Sequence, residues 1–170
     1  SVTDTLAKRA MFLIANNLKA AFENGRNVEA RSAMLEGAML AGMAFANAGV
    51  TAVHAFAYPI GAEFHIPHGV ANSIMMGPVL TFNTPGNPKK FAEAGVAMGL
   101  AATASAEDTI AFMKQLAEDI QIPKHLADFG VRDEHIPGLA SGVMKVTRLL
   151  ANNPRELTHD DAMRLYREVL

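Results

Sequence analysis

The stretch GAMLAGMAFANAGVTAVHAFAYPIGAEFHIPHGVANSIMMGPVLTFNTPGNP, residues 37–88, decides the fold. Its only charged side chain is Glu63, although charged residues make up 19% of the 170-residue chain. A membrane-spanning helix needs roughly 18 consecutive apolar residues, and asparagine, histidine and proline interrupt this stretch. We therefore expect its helices to lie inside a globular protein rather than in a membrane. Glu63 has no assigned role and is expected in solvent.

Helical periodicity extends from this stretch toward both ends of the chain. Apolar residues recur at three- and four-residue steps, and no run of alternating β-branched residues indicates a strand. The sequence therefore predicts an all-α protein, a multi-helix bundle that forms a single domain over residues 1–170. The predicted helices cover residues 4–22, 28–48, 52–63, 67–82, 89–98, 106–120, 125–129, 136–149 and 160–169.

Local signals predict the ends and the close contacts of these helices. Ser1, Ser105 and Thr158 are suitable N-caps, and Pro59 should kink the third predicted helix. A strip of small residues on the second predicted helix should let a neighbouring helix approach closely, and its uncharged flanks predict that both faces are covered. The strip consists of Ala33, Gly37, Ala41 and Ala44.

Composition excludes several classes of function. The chain has no cysteine, which removes disulfides, thiolate zinc sites and cysteine nucleophiles. The formal net charge of -2 gives no electrostatic reason to expect nucleic acid or an anionic membrane as a partner. The first residues, Ser1–Asp4, lack the basic and apolar regions of a signal peptide and resemble the interior of a longer chain. We expect a cytoplasmic protein.

Three of the six histidines lie in the nearly uncharged stretch, and two of these, His54 and His68, lie on consecutive predicted helices. A neutral imidazole is the form that binds metal, and the helix dipole at the start of the fourth helix disfavours a proton on His68. Two neutral histidines that converge suit iron or zinc. Spacing alone favours the alternative of core histidines bonded to backbone carbonyls, because two ligands do not make a metal site. The other histidines are expected on the surface, apart from His65.

The residues around these histidines resemble the signature of a known family. The string VHAFAYPIGAEFHIPHGVAN, residues 53–72, resembles that of the iron-containing alcohol dehydrogenases, which reads roughly H-x-x-x-H-x-L-G and then P-H-G-x-x-N. Residues 3–7, 42–49 and 152–155 extend the resemblance over nearly the whole chain. It implies the C-terminal helical domain of that family, with its dehydroquinate synthase-like fold.

The resemblance also implies a metal site. His54 and His68 match two metal ligands of the family, which would hold Fe²⁺ or, alternatively, Zn²⁺. Tyr58 falls where the family has a histidine that lies near the nicotinamide and handles protons, so it is implied as a catalytic and cofactor-binding residue. Tyrosine at this position departs from the family pattern. A phenol forms hydrogen bonds but does not exchange its proton near neutral pH.

Further positions are implied in the substrate and cofactor pockets. Phe45 matches the substrate-pocket phenylalanine of the family, with a core aromatic residue as the alternative reading. His65 is expected to line the same pocket rather than to bind metal. Gly61 and Gly69 are expected where the backbone passes close to the cofactor or to a neighbouring helix.

Two parts of the family pattern have no counterpart in these residues. One is the α/β domain that binds NAD or NADP, and the other is an aspartate and a histidine ligand from just upstream of the segment that matches Ser1. The resemblance therefore implies the C-terminal domain of a metal-assisted, NAD(P)-dependent alcohol dehydrogenase, a homo-oligomer that acts on a small alcohol or aldehyde. We expect this chain alone to be inactive. Two alternatives stay open: a reductase of keto acids with zinc or no metal, and a non-catalytic helical binding module.

Overall fold

The computed structural model of the protein describes residues 1–170 as helices joined by short loops, without strands. The prediction of an all-α fold is therefore confirmed. The α-helices are α1 (Val2–Glu23), α2 (Val28–Ala48), α3 (Ala52–Phe64), α4 (His68–Asn83), α5 (Pro88–Met98), α6 (Ala106–Asp119), α7 (Ile136–Met144), α8 (Thr147–Leu150) and α9 (His159–Arg167). Short 3-10 turns occupy Thr84–Gly86, Leu126–Phe129 and Asp133–His135.

Capping side chains define where several helices begin. The hydroxyls of Ser1, Ser105 and Thr158 each accept a hydrogen bond from the backbone N–H three residues later, at 3.0–3.1 Å. These three predicted N-caps are confirmed, because each satisfies a helix N–H that has no partner within the helix. The predicted helix over residues 136–149 is instead two helices, α7 and α8, since the backbone of Val146 leaves the helical region with a ψ of 54°.

The chain divides into two compact helical units. Unit 1 consists of residues 1–49 and 87–121 and contains α1, α2, α5 and α6. Within it α1 packs along α2 and α5, and α5 packs against α6. The close approach predicted from the small-residue strip is confirmed at Gly37, where an added Cβ would lie 2.8 Å from Ile14 Cγ1. The single domain over residues 1–170 stays a prediction.

The outer face of α2 differs from the prediction that both faces are covered. The buried residues of α2 are Ala30, Gly37 and Ala44, seven residues apart and therefore on one face. Leu35 and Met39 are 75% and 57% exposed, because only one face of α2 lies against α1. No single helix of the chain is long and apolar enough to cross a membrane; α2 and α3, broken at residues 49–51, meet the length and composition only when taken together.

Unit 2 consists of residues 50–86 and 122–170 and contains α3, α4, α7, α8 and α9. In it α3 packs against α4, α7 and α8, and its Phe56 and Ile60 are fully buried. Burial thus explains why α3 and α4 carry almost no charge, as predicted. Pro59 lies inside α3, which continues to Phe64. Pro59 packs closely on α7, since a Cβ added at Gly142 would lie 2.8 Å from Pro59 Cγ.

Candidate metal-binding site

His54 and His68 converge in unit 2. His54 lies in the first turn of α3, and His68 is the first residue of α4. The Nδ1 atom of His54 is 3.2 Å from Nε2 of His68, and the two ring centroids are 5.1 Å apart. The structure therefore brings together the two side chains that the sequence analysis selected as metal ligands, although they are separated by a helix and a connection.

The connection between α3 and α4 makes this convergence possible. His65 ends α3 in the left-handed region, with φ of 56° and ψ of 26°, a conformation that is uncommon for residues other than glycine. Ile66 is buried, and Pro67 precedes α4 with φ of -53° and ψ of 136°. Pro67 is thus the residue before the helix rather than its first residue, which corrects the predicted helix start by one position.

The opposite end of α3 is held by a side chain from a distant part of unit 2. Thr51, the residue before α3, forms no side-chain cap. The Oδ1 atom of Asn153 instead accepts a hydrogen bond from the N–H of Ala52 at 3.4 Å, and it also accepts one from Nδ2 of Asn83 at 2.8 Å. Asn153 therefore links the start of the helix that carries His54 to the end of the helix that carries His68.

The middle of α3 is held by α9. The hydroxyl of Tyr166 donates a hydrogen bond of 2.7 Å to the carbonyl of Phe56, and the two rings pack edge to face at 4.9 Å. Tyr166 is fully buried, and burial raises the pKa of its hydroxyl far above the ordinary value. The hydroxyl therefore stays protonated as a donor to α3.

The surroundings of His54 favour a neutral imidazole. Burial is the main cause that lowers the pKa of His54, and the neighbouring His68 lowers it further. The N-terminus of α4 places the positive end of a helix dipole beside His68. Because Glu63 is the only acidic residue on α3 and α4, these helices provide little to stabilise an imidazolium. A neutral imidazole offers an unprotonated nitrogen, which is the donor that binds transition metals.

The donor set fits part of an iron or zinc site. Two nitrogen ligands, each about 2.1 Å from one cation, lie roughly 3.0–3.4 Å apart at octahedral or tetrahedral angles. The 3.2 Å separation of the His54 and His68 nitrogens falls within that range. No group of three or more histidine, cysteine, aspartate or glutamate side chains in residues 1–170 could hold a metal ion. His54 and His68 alone are therefore too few ligands for a complete metal site.

Tyr58 lies beside the pair. It follows His54 by one helical turn, and its ring stacks on that of His68 at a centroid distance of 5.8 Å and an angle of 25°. Its side chain is 44% exposed, so the phenol covers one side of His68 and remains accessible to a ligand. The structure thus groups Tyr58 with His54 and His68.

The remaining predicted site residues are less closely grouped. His65 is exposed on the connection between α3 and α4. A Cβ at Gly61 would lie in ordinary contact, 3.4 Å from the carbonyl oxygen of Ile66, and a Cβ at Gly69 would meet nothing within 4 Å. Phe45 is 55% exposed on α2, in unit 1, rather than buried in a core. The implied roles of these residues in the substrate and cofactor pockets stay predictions.

Asn72 is a residue of this site that the sequence analysis did not select. It lies one turn after His68 on α4, and its Nδ2 atom is 3.0 Å from His68 Nε2. The signal was present as the last position of the P-H-G-x-x-N string. The four-residue spacing from His68 puts both side chains on one face of a helix.

Comparisons with known proteins find relatives of nearly the whole chain. A family model described as "Fe-containing alcohol dehydrogenase family, C-terminal" matches residues 1–170. The 1,3-propanediol dehydrogenase of Klebsiella pneumoniae is 38% identical over 172 residues, which cover 98% of this chain and 44% of that protein. The NAD-dependent methanol dehydrogenase of Bacillus methanolicus is 33% identical over 174 residues, which cover 99% of this chain and 45% of that protein.

A solved structure shows the same fold. The crystal structure of a 1,3-propanediol oxidoreductase matches with a TM-score of 0.95 and 38% identity, covering 100% of this chain and 46% of that chain. The chain thus spans less than half the length of the relatives that it matches. The helical fold expected from the resemblance is confirmed.

Proposed function

The chain belongs to the Fe-containing alcohol dehydrogenase family, and from this premise we propose that it forms the C-terminal part of an oxidoreductase. The proposed reaction transfers a hydride between a small alcohol or aldehyde and NAD or NADP. The observation that carries the proposal is the 3.2 Å approach of His54 Nδ1 to His68 Nε2 on helices with almost no charge. The dehydrogenase names of the relatives support the reaction class, and the name of the methanol dehydrogenase supports NAD.

His54 and His68 are the residues that would hold Fe²⁺ or Zn²⁺. Both present a ring nitrogen toward the same point, and the lowered pKa of His54 keeps its nitrogen available. The bound ion would act as a Lewis acid toward the alcohol or carbonyl oxygen. The remaining ligands would come from residues outside this chain, since the chain itself offers only these two.

Tyr58 would line the reacting side of the site. Its ring on His68 excludes water from one face of that imidazole. Its hydroxyl can donate or accept a hydrogen bond to a substrate oxygen or to the nicotinamide amide, but it does not replace a histidine as a proton carrier near neutral pH. The same proposal assigns Gly61 to the cofactor pocket and His65 to the substrate pocket, and the substrate-pocket role of Phe45 stays a separate prediction.

Metal binding by the chain tests the proposal. Titration calorimetry with Zn²⁺ should show that His54→Ala and His68→Ala each weaken binding at least about tenfold, since each removes one of two ligands. His125→Ala is the matched control, because His125 is an exposed histidine outside the site. If His54→Ala and His68→Ala bind Zn²⁺ as the unaltered chain does, the pair is not a metal site and the helical binding module becomes the better reading.

Activity measurements test the whole enzyme. We expect the 170-residue chain to show no turnover of a primary alcohol with NAD, and a protein that also contains a dinucleotide-binding domain to show it. Turnover by the chain alone at a normal enzymatic rate would contradict the proposed division of the site.

A second candidate function rests on Tyr58. Tyrosine in place of the family histidine favours a different route for the proton. The second candidate is therefore a reductase of keto acids that works with zinc or without metal. Metal analysis after mild purification, together with assays on keto acids and on aldehydes, separates the two functions. Iron content and preference for aldehydes support the first, and the absence of metal and preference for keto acids support the second. Zinc fits both, so with zinc the substrate preference decides.

A further inference from the structure

Asn72 contacts both the ring and the backbone of His68. Its Nδ2 atom is 3.0 Å from Nε2 of His68, the ring nitrogen that also faces Nδ1 of His54 at 3.2 Å. The same Nδ2 is 3.0 Å from the backbone carbonyl oxygen of His68. The side-chain amide of Asn72 thus holds both the backbone and the ring of one predicted metal ligand.

The bond to the backbone carbonyl determines which end of the amide faces the ring. A carbonyl oxygen is only an acceptor, so the atom of Asn72 beside it must be the NH₂ group and not the amide oxygen. The amide oxygen, Oδ1, is then buried without a hydrogen-bond partner. Buried polar atoms are nearly always paired. In this orientation Asn72 donates to the two acceptors of His68, and the amide oxygen of Asn72 is left without a partner.

Other asparagines in the helices show which of these contacts are general and which are particular to Asn72. Asn16, Asn17 and Asn47 also donate from Nδ2 to the carbonyl four residues earlier, at 2.7–2.8 Å. This bond is therefore a general local feature of asparagines in these helices. The bond to a ring nitrogen and the buried, unpaired Oδ1 belong to Asn72 alone among these four.

A donor that faces His68 Nε2 determines which nitrogen of the imidazole carries the proton. The NH₂ group of Asn72 can bond to Nε2 only if that nitrogen carries a lone pair, and in a neutral ring the proton then lies on Nδ1. We infer that Asn72 is a positioning residue that holds His68 as the Nδ1–H tautomer, with its unprotonated Nε2 directed at His54. The benefit of this tautomer to metal binding rests on the proposed function; the tautomer itself does not.

The tautomer can be measured on the metal-free chain. Long-range ¹H–¹⁵N correlation spectra at about pH 8, where a histidine is neutral, distinguish a protonated from an unprotonated ring nitrogen. We expect His68 to have Nδ1–H and a bare Nε2. Asn72→Asp replaces the donor with an acceptor and should shift His68 to the Nε2–H tautomer, whereas Asn72→Leu should leave a mixture. Asn47→Leu is the matched control, because it removes only the local bond to a backbone carbonyl.

His54 is the competing donor to the same nitrogen. If His54 rather than Asn72 selects the tautomer, His54→Ala should abolish the bare Nε2 of His68, and Asn72→Asp should not. We expect the reverse. An Nε2–H tautomer in the unaltered chain, or an unchanged tautomer in Asn72→Asp, would overturn the inference. Thermal unfolding of each variant shows that it is folded, and if Asn72→Leu does not fold, Asn72→Asp and His54→Ala decide the question.

Zn²⁺ affinity separates this inference from the proposed function. Nε2 of His68 has one lone pair, so the N–H of Asn72 must leave it when Zn²⁺ binds. The tautomer therefore tests the role of Asn72, and Zn²⁺ binding by His68→Ala tests the metal site. If Asn72→Asp changes the tautomer but His68→Ala does not affect Zn²⁺ binding, the proposed function fails and the role of Asn72 stands. If His68→Ala abolishes binding but Asn72→Asp leaves the tautomer unchanged, the metal site stands and the role of Asn72 fails.

Discussion

Replacement of Asn153 by alanine should destabilise unit 2 strongly, because this side chain joins three parts of the unit. Asn153 accepts from the N–H of Ala52 at 3.4 Å and forms a two-way amide pair with Asn83 at 2.8 and 2.7 Å. Its Nδ2 also donates to the carbonyl of Arg155 at 2.6 Å. The substitution removes all four hydrogen bonds at once.

The magnitude follows from what is left behind. Asn83 is 1% exposed, so after Asn153→Ala its amide oxygen and nitrogen would both be buried without their partner. An unsatisfied buried polar group costs about 1–3 kcal/mol. The Ala52 bond is long and contributes little. We therefore expect the free energy of unfolding to fall by about 3 kcal/mol, taking the lower part of the range for each of two groups.

A double-mutant cycle measured by urea denaturation tests this reasoning. Asn83→Leu with Asn153→Leu replaces both partners with apolar groups, which can be nearly neutral even where a single replacement is costly. The double variant should therefore be less destabilised than the two single variants together, by at least about 1 kcal/mol. If Asn153→Ala lowers the free energy of unfolding by less than about 1 kcal/mol, or if the two single effects simply add, the buried amide pair is not what holds these segments together.

Three further predictions concern unit 1. Gly95→Ala should lower the free energy of unfolding by about 1–3 kcal/mol in urea denaturation, because the new Cβ would press on the hydroxyl of Thr109, which is buried; an unchanged midpoint would show that α6 can shift. The hydrogen bond from Lys90 is the main cause that lowers the pKa of Asp4 to about 2 from 3.8. The stability that the ionised Asp4 contributes is present above about pH 4 and is lost as the pH falls through about 2. The difference in free energy of unfolding between the unaltered chain and Lys90→Gln should therefore shrink over this range, and a difference of unchanged size at pH 2 would contradict the prediction. Leu35→Lys should change the free energy of unfolding by less than about 0.5 kcal/mol, since Leu35 is 75% exposed, and a larger loss in the same denaturation assay would indicate that this face is covered.

Much of the helical fold could be predicted from the sequence because its signals are local. The limits of α2, residues 28–48, were predicted without error, because Asn27 caps its start and Gly49 ends it. Continuation of a helix depends also on what packs on it. The break at Val146 was therefore not predicted.

Part of the candidate site could likewise be predicted from the sequence, and part could not. The predicted meeting of His54 and His68 came from a sequence signature and agrees with their 3.2 Å approach. The roles of Phe45, Gly61 and His65 stay predictions. The contribution of Asn153 could not have been predicted, because it acts on α3 from 101 residues away and no local pattern encodes such a contact.

The sequence by itself determined the helical class, most helix ends and the family, because periodicity, capping and a spaced motif are properties of neighbouring residues. Only the tertiary structure decided which faces those helices bury. The uncharged stretch from Gly37 to Pro88 illustrates the difference, since it contains both the exposed outer face of α2 and the buried helices α3 and α4. A residue without charge can be buried at little cost, but whether it is buried depends on which other helix packs against its own helix.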